Sequence, residues 1–252
     1  MSSNILVIPD SHAVPGHSNR RYEWLGHLIN DLKPDTVVDI GDWFDFQSLS
    51  SYDTGAKKAY HQLSYQKDLN AGLDAQDKMF SIIRRQKRKM PRFIRTIGNH
   101  EDRITRALDN DPVLQGTMGM EDLQSKEYGW EEYPFLEPVE VEGVRFAHYF
   151  ATGVSGRPVS GENPALALIT KQLQSCVQGH SHLLDYSIRT AADGRRIMGL
   201  TVGCYLEQNL DWADSTAHLW YPCVCYLKST EGGAYDLQVI RLSRLQEVYG
   251  DK

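Results

Sequence analysis

The first half of the chain alternates short apolar runs with stretches in which apolar residues recur at helical spacing. The apolar runs at residues 4–8, 36–40 and 92–97 have the length and composition of buried strands. Between them, residues 20–32 and 64–89 show the periodicity of helices. This β-α-β-α-β order predicts a parallel sheet with right-handed crossovers.

In the second half, three pairs of apolar segments flank short turn sequences, which predicts three hairpins. The turns fall at residues 142–143, 193–194 and 231–233. A helix is predicted over residues 163–173 and a strand over residues 175–178. We therefore expect an α/β fold of two mixed β-sheets packed as a sandwich flanked by helices. The N-terminal half should supply parallel strands and the C-terminal half antiparallel ones.

The composition is that of a folded globular protein, with 252 residues of which 41% are hydrophobic and 24% charged. An α/β fold of this length is often one domain, so residues 1–252 are predicted to form a single domain. No apolar run is long enough to cross a bilayer, and the first residues lack the basic and apolar segments of a signal peptide. These features predict no membrane partner and a cytoplasmic location.

The net charge argues against a non-specific DNA-binding protein, and the cysteine spacing argues against a protein built on a four-cysteine zinc site. The net charge of −6 disfavours a protein that coats DNA non-specifically. The four cysteines contain no C-x-x-C pair, which argues against a four-cysteine zinc site. Cys223 and Cys225 alternate in an apolar run, so we expect them on one face of a strand, and all four as reduced, mostly buried thiols.

Side chains that can bind metal ions follow the predicted strands, at the points where the apolar runs end. The carboxyl ends of parallel strands meet at one edge of a sheet, where α/β proteins place their functional sites. We therefore expect these side chains to lie close together. Five motifs have this position: Asp10-Ser11-His12, Gly41-Asp42-Trp43-Phe44-Asp45, Gly98-Asn99-His100-Glu101, His148 and Gly179-His180-Ser181-His182.

The chemistry of these groups suits divalent cations. Carboxylate and amide oxygens and imidazole nitrogens are ligands for Mn²⁺, Zn²⁺ or iron rather than for soft metals. In extended backbone, Asp10 and His12 would point to one side, and so would His180 and His182. The set is large enough for two ions, whose mutual repulsion a shared carboxylate such as Asp42 would reduce.

Each feature also has a purely structural interpretation. A strand-terminal aspartate such as Asp10 can form a turn or cap a helix, and a lone histidine such as His148 can be a hydrogen-bonded core residue. Asn99 can occupy a left-handed turn. Trp43 and Phe44 can belong to the core instead of stacking on a base. Five such motifs in this order favour the metal site.

In order and spacing, the motifs resemble those of the calcineurin-like metallophosphoesterase superfamily: D-x-H, G-D-x-x-D, G-N-H-[DE], a later His and G-H-x-H. The resemblance spans residues 10–182. It implies a two-sheet α/β sandwich, whose second sheet residues 183–252 would complete. It also implies two divalent metal ions as cofactors, with Mn²⁺ preferred and Zn²⁺, Fe²⁺, Fe³⁺, Ni²⁺ or Mg²⁺ as alternatives.

The resemblance implies a role for each residue of the motifs. His100 would be the general acid toward the leaving oxygen, and Asp45 would orient it and support its charge. The implied ligands are Asp10, His12, Asp42 and His182 for the first ion, and Asp42, Asn99, His148 and His180 for the second.

The chain departs from the family pattern at two places. Phe46 and Gln47 follow Asp45, so the arginine that grips phosphate in the serine/threonine phosphatase branch (GDxxDRG) is missing. Tyr149 stands where the family usually has glycine after its later histidine. Residues 47–58 and 99–104 resemble an often phage-encoded branch, which would place the protein in a host cytoplasm.

The predicted function is hydrolysis of phosphate esters, most of all phosphodiester bonds in nucleic acid or nucleotides. A hydroxide bridging the two ions would attack phosphorus while His100 protonates the leaving oxygen. One alternative is a phosphomonoesterase acting on proteins or small molecules. Another is a catalytically inert metal-binding interaction module, which would have no need of His100 and Asp45.

Several basic residues are candidates for contacts with the substrate. Arg103, three residues after His100, is predicted to bind substrate phosphate. Arg157, in a glycine-rich loop, is predicted to contact the substrate or to belong to a lid. Residues 84–89, continued by Arg92 and Arg95, form the strongest basic cluster, either a phosphate-backbone contact or a solvated helix end. The loop over residues 47–60, which holds Tyr52, Lys57 and Lys58, is predicted to form part of the pocket wall.

Overall fold

Two large β-sheets account for most strands in the computed structural model of the protein, which describes residues 2–51, 55, 62–207 and 217–252. In chain order the strands are β1 (Ser3–Ile8), β2 (Thr36–Asp39), β3 (Arg92–Thr96), β4 (Trp130–Tyr133), β5 (Val139–Val141), β6 (Val144–Ala147), β7 (Ala151–Thr152), β8 (Arg157–Pro158), β9 (Cys176–Gln178), β10 (Leu184–Thr190), β11 (Arg196–Val202), β12 (Cys223–Glu231) and β13 (Ala234–Arg241).

The α-helices of the described residues lie mostly on the outer faces of the sheets. Their bounds are α1 (Arg20–Leu32), α2 (Tyr65–Arg84), α3 (Asp102–Asn110), α4 (Ser125–Tyr128), α5 (Pro164–Gln172) and α6 (Leu242–Tyr249). None of them is long and apolar enough to cross a membrane.

Both large sheets are mixed. The first has the order β13-β12-β1-β2-β3-β4, in which β1 to β4 run parallel and β12 runs antiparallel to both of its neighbours, β1 and β13. The second has the order β10-β11-β9-β6-β5, in which β9 runs parallel to both of its neighbours. The predicted class, an α/β sandwich of two mixed sheets flanked by helices, is confirmed.

Alternation along β1 shows how the layers form. Successive side chains of a strand point to opposite faces. Ile5 and Val7 belong to the apolar cluster between the two sheets, whereas Leu6 and Ile8 belong to the cluster under α1, α2 and α6. All four side chains are fully buried. Each face of the first sheet is therefore covered, and its polar groups can emerge only at its edges and ends.

Three expectations about the elements are wrong. The C-terminal half is not simply antiparallel, because β9 pairs in parallel with β6 and β11. Residues 183–252 do not only complete the second sheet, because β12 and β13 join the first sheet beside β1. The helix predicted to residue 89 ends at Arg84, where the chain turns toward β3.

The cysteine prediction is confirmed. All four cysteines are free and buried, and Cys223 and Cys225 both face the core between the sheets.

Candidate metal centre

The five motifs meet at the carboxyl ends of the central strands. The chain leaves β1 toward Asp10, β2 toward Asp42 and β3 toward Asn99. In the second sheet, β6 leads to His148 and β9 to His180. Because β1, β2 and β3 are parallel, as are β6 and β9, these five loops emerge on one side of the sandwich.

The backbone at this edge differs from the extended conformation expected from the sequence. His12, Asp42, His180 and His182 have positive φ angles of 41°, 55°, 67° and 58°. Side chains other than glycine rarely adopt this left-handed region, at a cost of about 1–3 kcal/mol each, and such residues cluster at functional sites. The paired side chains converge through tight turns and not through strand alternation.

Asp10, His12 and His182 form the first group of candidate ligands, with one atom of each lying within 4.8 Å of the others. His182 Nε2 lies 3.3 Å from Asp10 Oδ2 and 3.2 Å from His12 Nε2. All three residues are buried.

Asp42, His148 and His180 form the second group, and the amide oxygen of Asn99 joins it. Asn99 Oδ1 lies 2.9 Å from His148 Nε2 and 2.8 Å from His180 Nδ1. Two polar nitrogens and a neutral oxygen thus face one point, as the resemblance implied for the second ion.

Asp42 lies between the two groups. Its Oδ2 is 3.9 Å from His12 Nε2 and 3.3 Å from His148 Nε2. Its Oδ1 accepts a hydrogen bond of 2.9 Å from the backbone N–H of His100, which fixes the carboxylate plane. One carboxylate oxygen is therefore placed to serve both groups.

Hydrogen bonds made by Nδ1 of His148 and of His12 orient the Nε2 atoms of both rings toward the ligand groups. His148 Nδ1 lies 3.1 Å from the carbonyl oxygen of Ile40, and His12 Nδ1 lies 3.0 Å from Asp45 Oδ1. Both oxygens can only accept, so each Nδ1 is the donor and each Nε2 faces the cluster. Such outer hydrogen bonds commonly orient histidines that bind metals.

The residues present fit a pair of cations. Asp10 Oδ1 is buried and has no hydrogen-bond partner among the described residues. The nitrogens of His12 and His182 lie 3.2 Å apart and those of His148 and His180 3.3 Å apart, so their lone pairs repel unless a proton or cation lies between them. Oxygen and imidazole ligands match Mn²⁺, Zn²⁺ or iron.

Two glycines of the motifs make room for the carboxylates. A Cβ at Gly98 would lie 2.1 Å from Asp42 Oδ1, and a Cβ at Gly179 would lie 2.1 Å from Asp10 Oδ1. Any other residue would displace these oxygens, so glycine is required for the close approach of the loops.

The carboxylates are held ionised at neutral pH. Burial alone would raise the pKa of Asp10, but its hydrogen bond to His182 and the charge of His148 lower it. Burial would likewise raise the pKa of Asp42, but the charges of His148 and His100 lower it well below its usual value. Negative charge is therefore concentrated where cations would bind.

His100 and Asp45 lie beside this cluster. His100 Nδ1 donates to the backbone carbonyl of Asp45 at 2.6 Å and lies 3.3 Å from Asp45 Oδ1. This contact turns His100 Nε2 toward the centre, 3.8 Å from Asp42 Oδ2. Although burial would lower the pKa of His100, the carboxylates of Asp42 and Asp45 raise it. The carboxylate of Asp45 contacts both His12 and His100, so it links the first group to His100.

Glu101 is a component of the site that the sequence analysis did not select. It is fully buried, and its carboxylate accepts hydrogen bonds of 2.8–3.0 Å from the backbone N–H groups of Asp42, Phe44 and Gly98. Burial and the negative charge of Asp42 raise its pKa to about 7. Glu101 ties the loop after β2 to the loop after β3. Its acidic position in the G-N-H-[DE] motif was the available signal.

The two arginines predicted to bind substrate differ in position. Arg103 donates to the carbonyls of Asp45 and Phe46 at 2.9 and 3.2 Å, and its Nη2 lies 3.2 Å from His100 Nε2. Arg157 is exposed on β8, and its side chain makes no hydrogen bond or ion pair with the described residues. Arg103 therefore lies at the candidate centre, whereas Arg157 reaches no member of it.

The basic cluster lies at the opposite edge of the first sheet, because residues 84–89 lead into the amino end of β3. Arg92 forms an exposed ion pair of 2.6 Å with Glu131. Arg95 is fully buried and forms an ion pair of 2.6 Å with Asp39. The inclusion of Arg95 in a surface cluster was wrong, because its position on β3 points it under α2.

A cavity of about 270 Å³ adjoins the site and is bordered by Asn99, Arg103 and His180. A larger cavity, of about 660 Å³, is bordered by Val14, Gln47 and Asp74 but by none of the candidate ligands. Of the pocket wall predicted at residues 47–60, Tyr52, Lys57 and Lys58 lie outside the described residues.

Trp43 and Phe44 are fully buried, so the core interpretation of these residues is confirmed.

Comparison with known proteins gives one family. A model described as calcineurin-like phosphoesterase matches residues 3–184, a range that contains every motif of the candidate site. No curated protein matches the chain in sequence. Among solved structures, an archaeal protein described as a novel phosphodiesterase is 14% identical, with 94% of this chain and 99% of that chain covered and a TM-score of 0.42. Yfce, a phosphoesterase from E. coli, is 11% identical, with coverages of 94% and 100% and a TM-score of 0.39.

Proposed function

The chain belongs to the calcineurin-like phosphoesterase family, and we propose that it hydrolyses phosphodiester bonds in nucleic acid or nucleotides. Family membership makes it a metal-dependent phosphoesterase. The choice of diester, the identity of the ions and the roles of individual residues are the parts we propose. The observation that carries the proposal is the convergence of both ligand groups on Asp42, with His100 beside them.

Seven residues would hold two divalent cations, for which Mn²⁺ suits the mixture of oxygen and nitrogen ligands. When bound, the ions neutralise the charge of the phosphate and make water nucleophilic near neutral pH. The ligands would be Asp10, His12, Asp42 and His182 for the first ion, and Asp42, Asn99, His148 and His180 for the second.

His100 would deliver the proton that the leaving oxygen requires. Its Nδ1 is engaged by the Asp45 carbonyl, so only Nε2 faces the substrate. The carboxylates of Asp42 and Asp45 raise the pKa of His100 and favour a protonated ring. A general acid placed in this way typically contributes about 10²–10⁴-fold to the rate.

Arg103 would exchange one partner for another when substrate binds. Without substrate, its Nη2 lies 3.2 Å from His100 Nε2 and donates to that nitrogen only while the ring is neutral. Moving the guanidinium onto a phosphate oxygen would free Nε2 to carry the proton. Arg103 makes no ion pair within 4.0 Å among the described residues, so its charge is available to a phosphate. Arg157 remains a proposed contact with a part of the substrate distant from the phosphate that is hydrolysed, because its exposed side chain makes no hydrogen bond or ion pair with the described residues.

Space beside the second ligand group supports a diester. A diester carries a second organic substituent that a monoester lacks, and the 270 Å³ cavity bordered by His180 and Asn99 would hold it. The absence of arginine after Asp45 also separates this chain from the serine/threonine phosphatase branch.

The test compares Mn²⁺-loaded protein on bis(p-nitrophenyl) phosphate and on p-nitrophenyl phosphate, followed by labelled single- and double-stranded DNA. The proposal predicts faster hydrolysis of the diester. Asp42→Asn, which changes the carboxylate beside both ligand groups, should abolish this hydrolysis, and Asp193→Asn, at an exposed hairpin, is the matched control outside the site.

Each other outcome contradicts part of the proposal. Activity on the monoester alone would make the protein a phosphomonoesterase. No hydrolysis of either ester by protein that has bound its metal would favour an inert interaction module. We also propose that residues 1–252 form one domain that acts in the cytoplasm. The proposed chemistry does not depend on either point.

A further inference from the structure

Tyr149, at the position where the family usually has glycine, lies against the second ligand group. Its ring centroid is 4.8 Å from that of His180 and 5.4 Å from that of Phe135. The contact with Phe135 is edge-to-face, with an interplanar angle of 85°. The chain thus adds an aromatic pair directly beside two candidate metal ligands.

The aromatic pair of Tyr149 and Phe135 lines the 270 Å³ cavity. Two candidate ligands, Asn99 and His180, line the same cavity, and so does Arg103. Cavities that hold a whole ligand are typically about 300–1,000 Å³. This one is therefore sized for part of a substrate whose phosphate occupies the ligand groups.

Two arginines, Arg103 and Arg106, line the same cavity as the aromatic pair and bring positive charge to it. Arg106 forms an ion pair of 3.0 Å with Asp102 and donates to the Asn99 carbonyl at 2.7 Å, so its charge is largely committed. Among the described residues Arg103 is held by two carbonyls and His100 and by no carboxylate, so its charge can be paired by an anion.

The ring of Tyr149 is available to a ligand. It is half-exposed and lines the cavity, and its hydroxyl makes no hydrogen bond with the described residues, so no such bond ties the ring to its present position. A half-exposed aromatic ring and a cationic side chain that line one cavity form the arrangement in which proteins stack unpaired nucleobases.

We propose that this cavity binds the unpaired nucleobase of a substrate, stacked on Tyr149, next to the phosphate that is hydrolysed. The proposal rests on the hydrolysis proposed above, and it names the substrate class. Phe135 packs edge-to-face against the ring of Tyr149. Arg103 lines the same cavity and lies 3.2 Å from His100, so it would contact the phosphate. Stacking tolerates every base, so recognition would be of an unpaired nucleotide and not of a sequence.

The test uses two diesters with the same leaving group. One is the p-nitrophenyl ester of thymidine 5′-phosphate and the other is methyl p-nitrophenyl phosphate, which lacks a base. The readout is the ratio of their kcat/KM values, measured for wild type, Tyr149→Leu and Tyr149→Phe. Tyr128→Leu is the matched control, because Tyr128 is a half-exposed ring at the opposite edge of the first sheet.

The proposal predicts that wild type prefers the thymidine ester and that Tyr149→Leu lowers the ratio about 5- to 150-fold, the range of base stacking. Tyr149→Phe and Tyr128→Leu should keep the ratio. A wild-type ratio near one would overturn the proposal. An equal loss on both esters in Tyr149→Leu would do so as well, because it would mean that the ring only supports His180.

Equilibrium binding separates this inference from the hydrolysis on which it rests. Thymidine 5′-phosphate should bind more tightly than methyl phosphate, and Tyr149→Leu should remove the difference. If neither ester is hydrolysed but this difference is found, the subsite stands and the hydrolase proposal fails. If both esters are hydrolysed but the two phosphates bind equally, the subsite fails alone.

Competition between ligands for the cavity tests whether the bound base belongs to a nucleic acid strand or to a free nucleotide. Tighter competition by oligothymidylate than by thymidine 5′-phosphate would indicate single-stranded nucleic acid, and equal competition would indicate a free nucleotide. Either result supports the subsite. Competition by duplex DNA as strong as that by the single strand would contradict it, because paired bases cannot stack on Tyr149.

Discussion

His148 Nε2 and His180 Nδ1 lie 3.3 Å apart at the second ligand group, yet the pKa values of the two histidines are shifted in opposite directions. Burial alone would lower the pKa of His148, but the carboxylates of Asp42 and Asp10 raise it to about 9. Burial and the charge of His148 lower the pKa of His180 to about 4. In the metal-free protein at neutral pH His148 is therefore protonated on both ring nitrogens and positively charged, whereas His180 is neutral.

This relationship predicts how metal binding depends on pH. A cation can bind His148 only after its proton leaves, and His180 needs no deprotonation above pH 5. The affinity of the second group for Mn²⁺ should therefore rise about tenfold per pH unit between pH 7 and pH 9 and level off above that. Calorimetric titration with Mn²⁺ measures this, and affinity independent of pH over that range would contradict it.

His100→Ala should distinguish leaving groups. An aryl oxide leaves without protonation, whereas an alkoxide requires it, so the loss should approach about 10²–10⁴-fold only for an alkyl ester. The measurement is kcat/KM for matched aryl and alkyl methyl phosphate diesters. The variant should still bind two ions, because His100 is not among the proposed ligands. An equal loss of kcat/KM on the aryl and the alkyl ester would contradict the role of His100 as general acid.

Glu101→Gln should destabilise the protein although it removes no proposed ligand. The amide nitrogen of glutamine would face a backbone N–H and leave a buried donor unpaired, at a cost of about 1–3 kcal/mol. The control is Glu131→Gln, whose exposed carboxylate pairs with Arg92 and contributes at most about 1 kcal/mol. Urea unfolding of both variants at pH 8 gives the comparison. Equal stability of the two would show that the hydrogen bonds of Glu101 do not hold the loops.

Arg95→Met should be far more costly than Arg92→Met. Arg95 and Asp39 are fully buried, and removing one partner leaves an uncompensated charge in the core, at about 3–5 kcal/mol. Arg92 pairs with Glu131 at the surface, where such a pair contributes at most about 1 kcal/mol. The free energies of unfolding of the two variants give the test. Similar losses would mean that the burial of Arg95 has no energetic consequence.

The sequence predicted the position of the site because parallel topology brings strand ends together. Asp10, Asp42 and Asn99 each follow an apolar run, and that order alone places them at one edge. The approximate bounds of α1 and β3 could also be predicted, because they depend on the spacing of apolar residues within each segment. Local patterns of this kind require no knowledge of distant contacts.

Features that depend on distant contacts were missed. β4 begins at Trp130 and contains two glutamates, so only its pairing with β3 makes it a strand. The attachment of β12 to β1 joins segments separated by most of the chain. The burial of Arg95 depends on Asp39 on the neighbouring strand, and the role of Glu101 depends on N–H groups of another loop. No local pattern contains these partners.

The most direct test of the whole account is the number of metal ions bound per chain. Elemental analysis of Mn²⁺-reconstituted protein should find two ions in wild type. Asp42→Ala should lose at least one of them, because its Oδ2 lies beside both ligand groups. Wild-type protein without bound metal, or an Asp42→Ala variant that keeps both ions, would contradict the account.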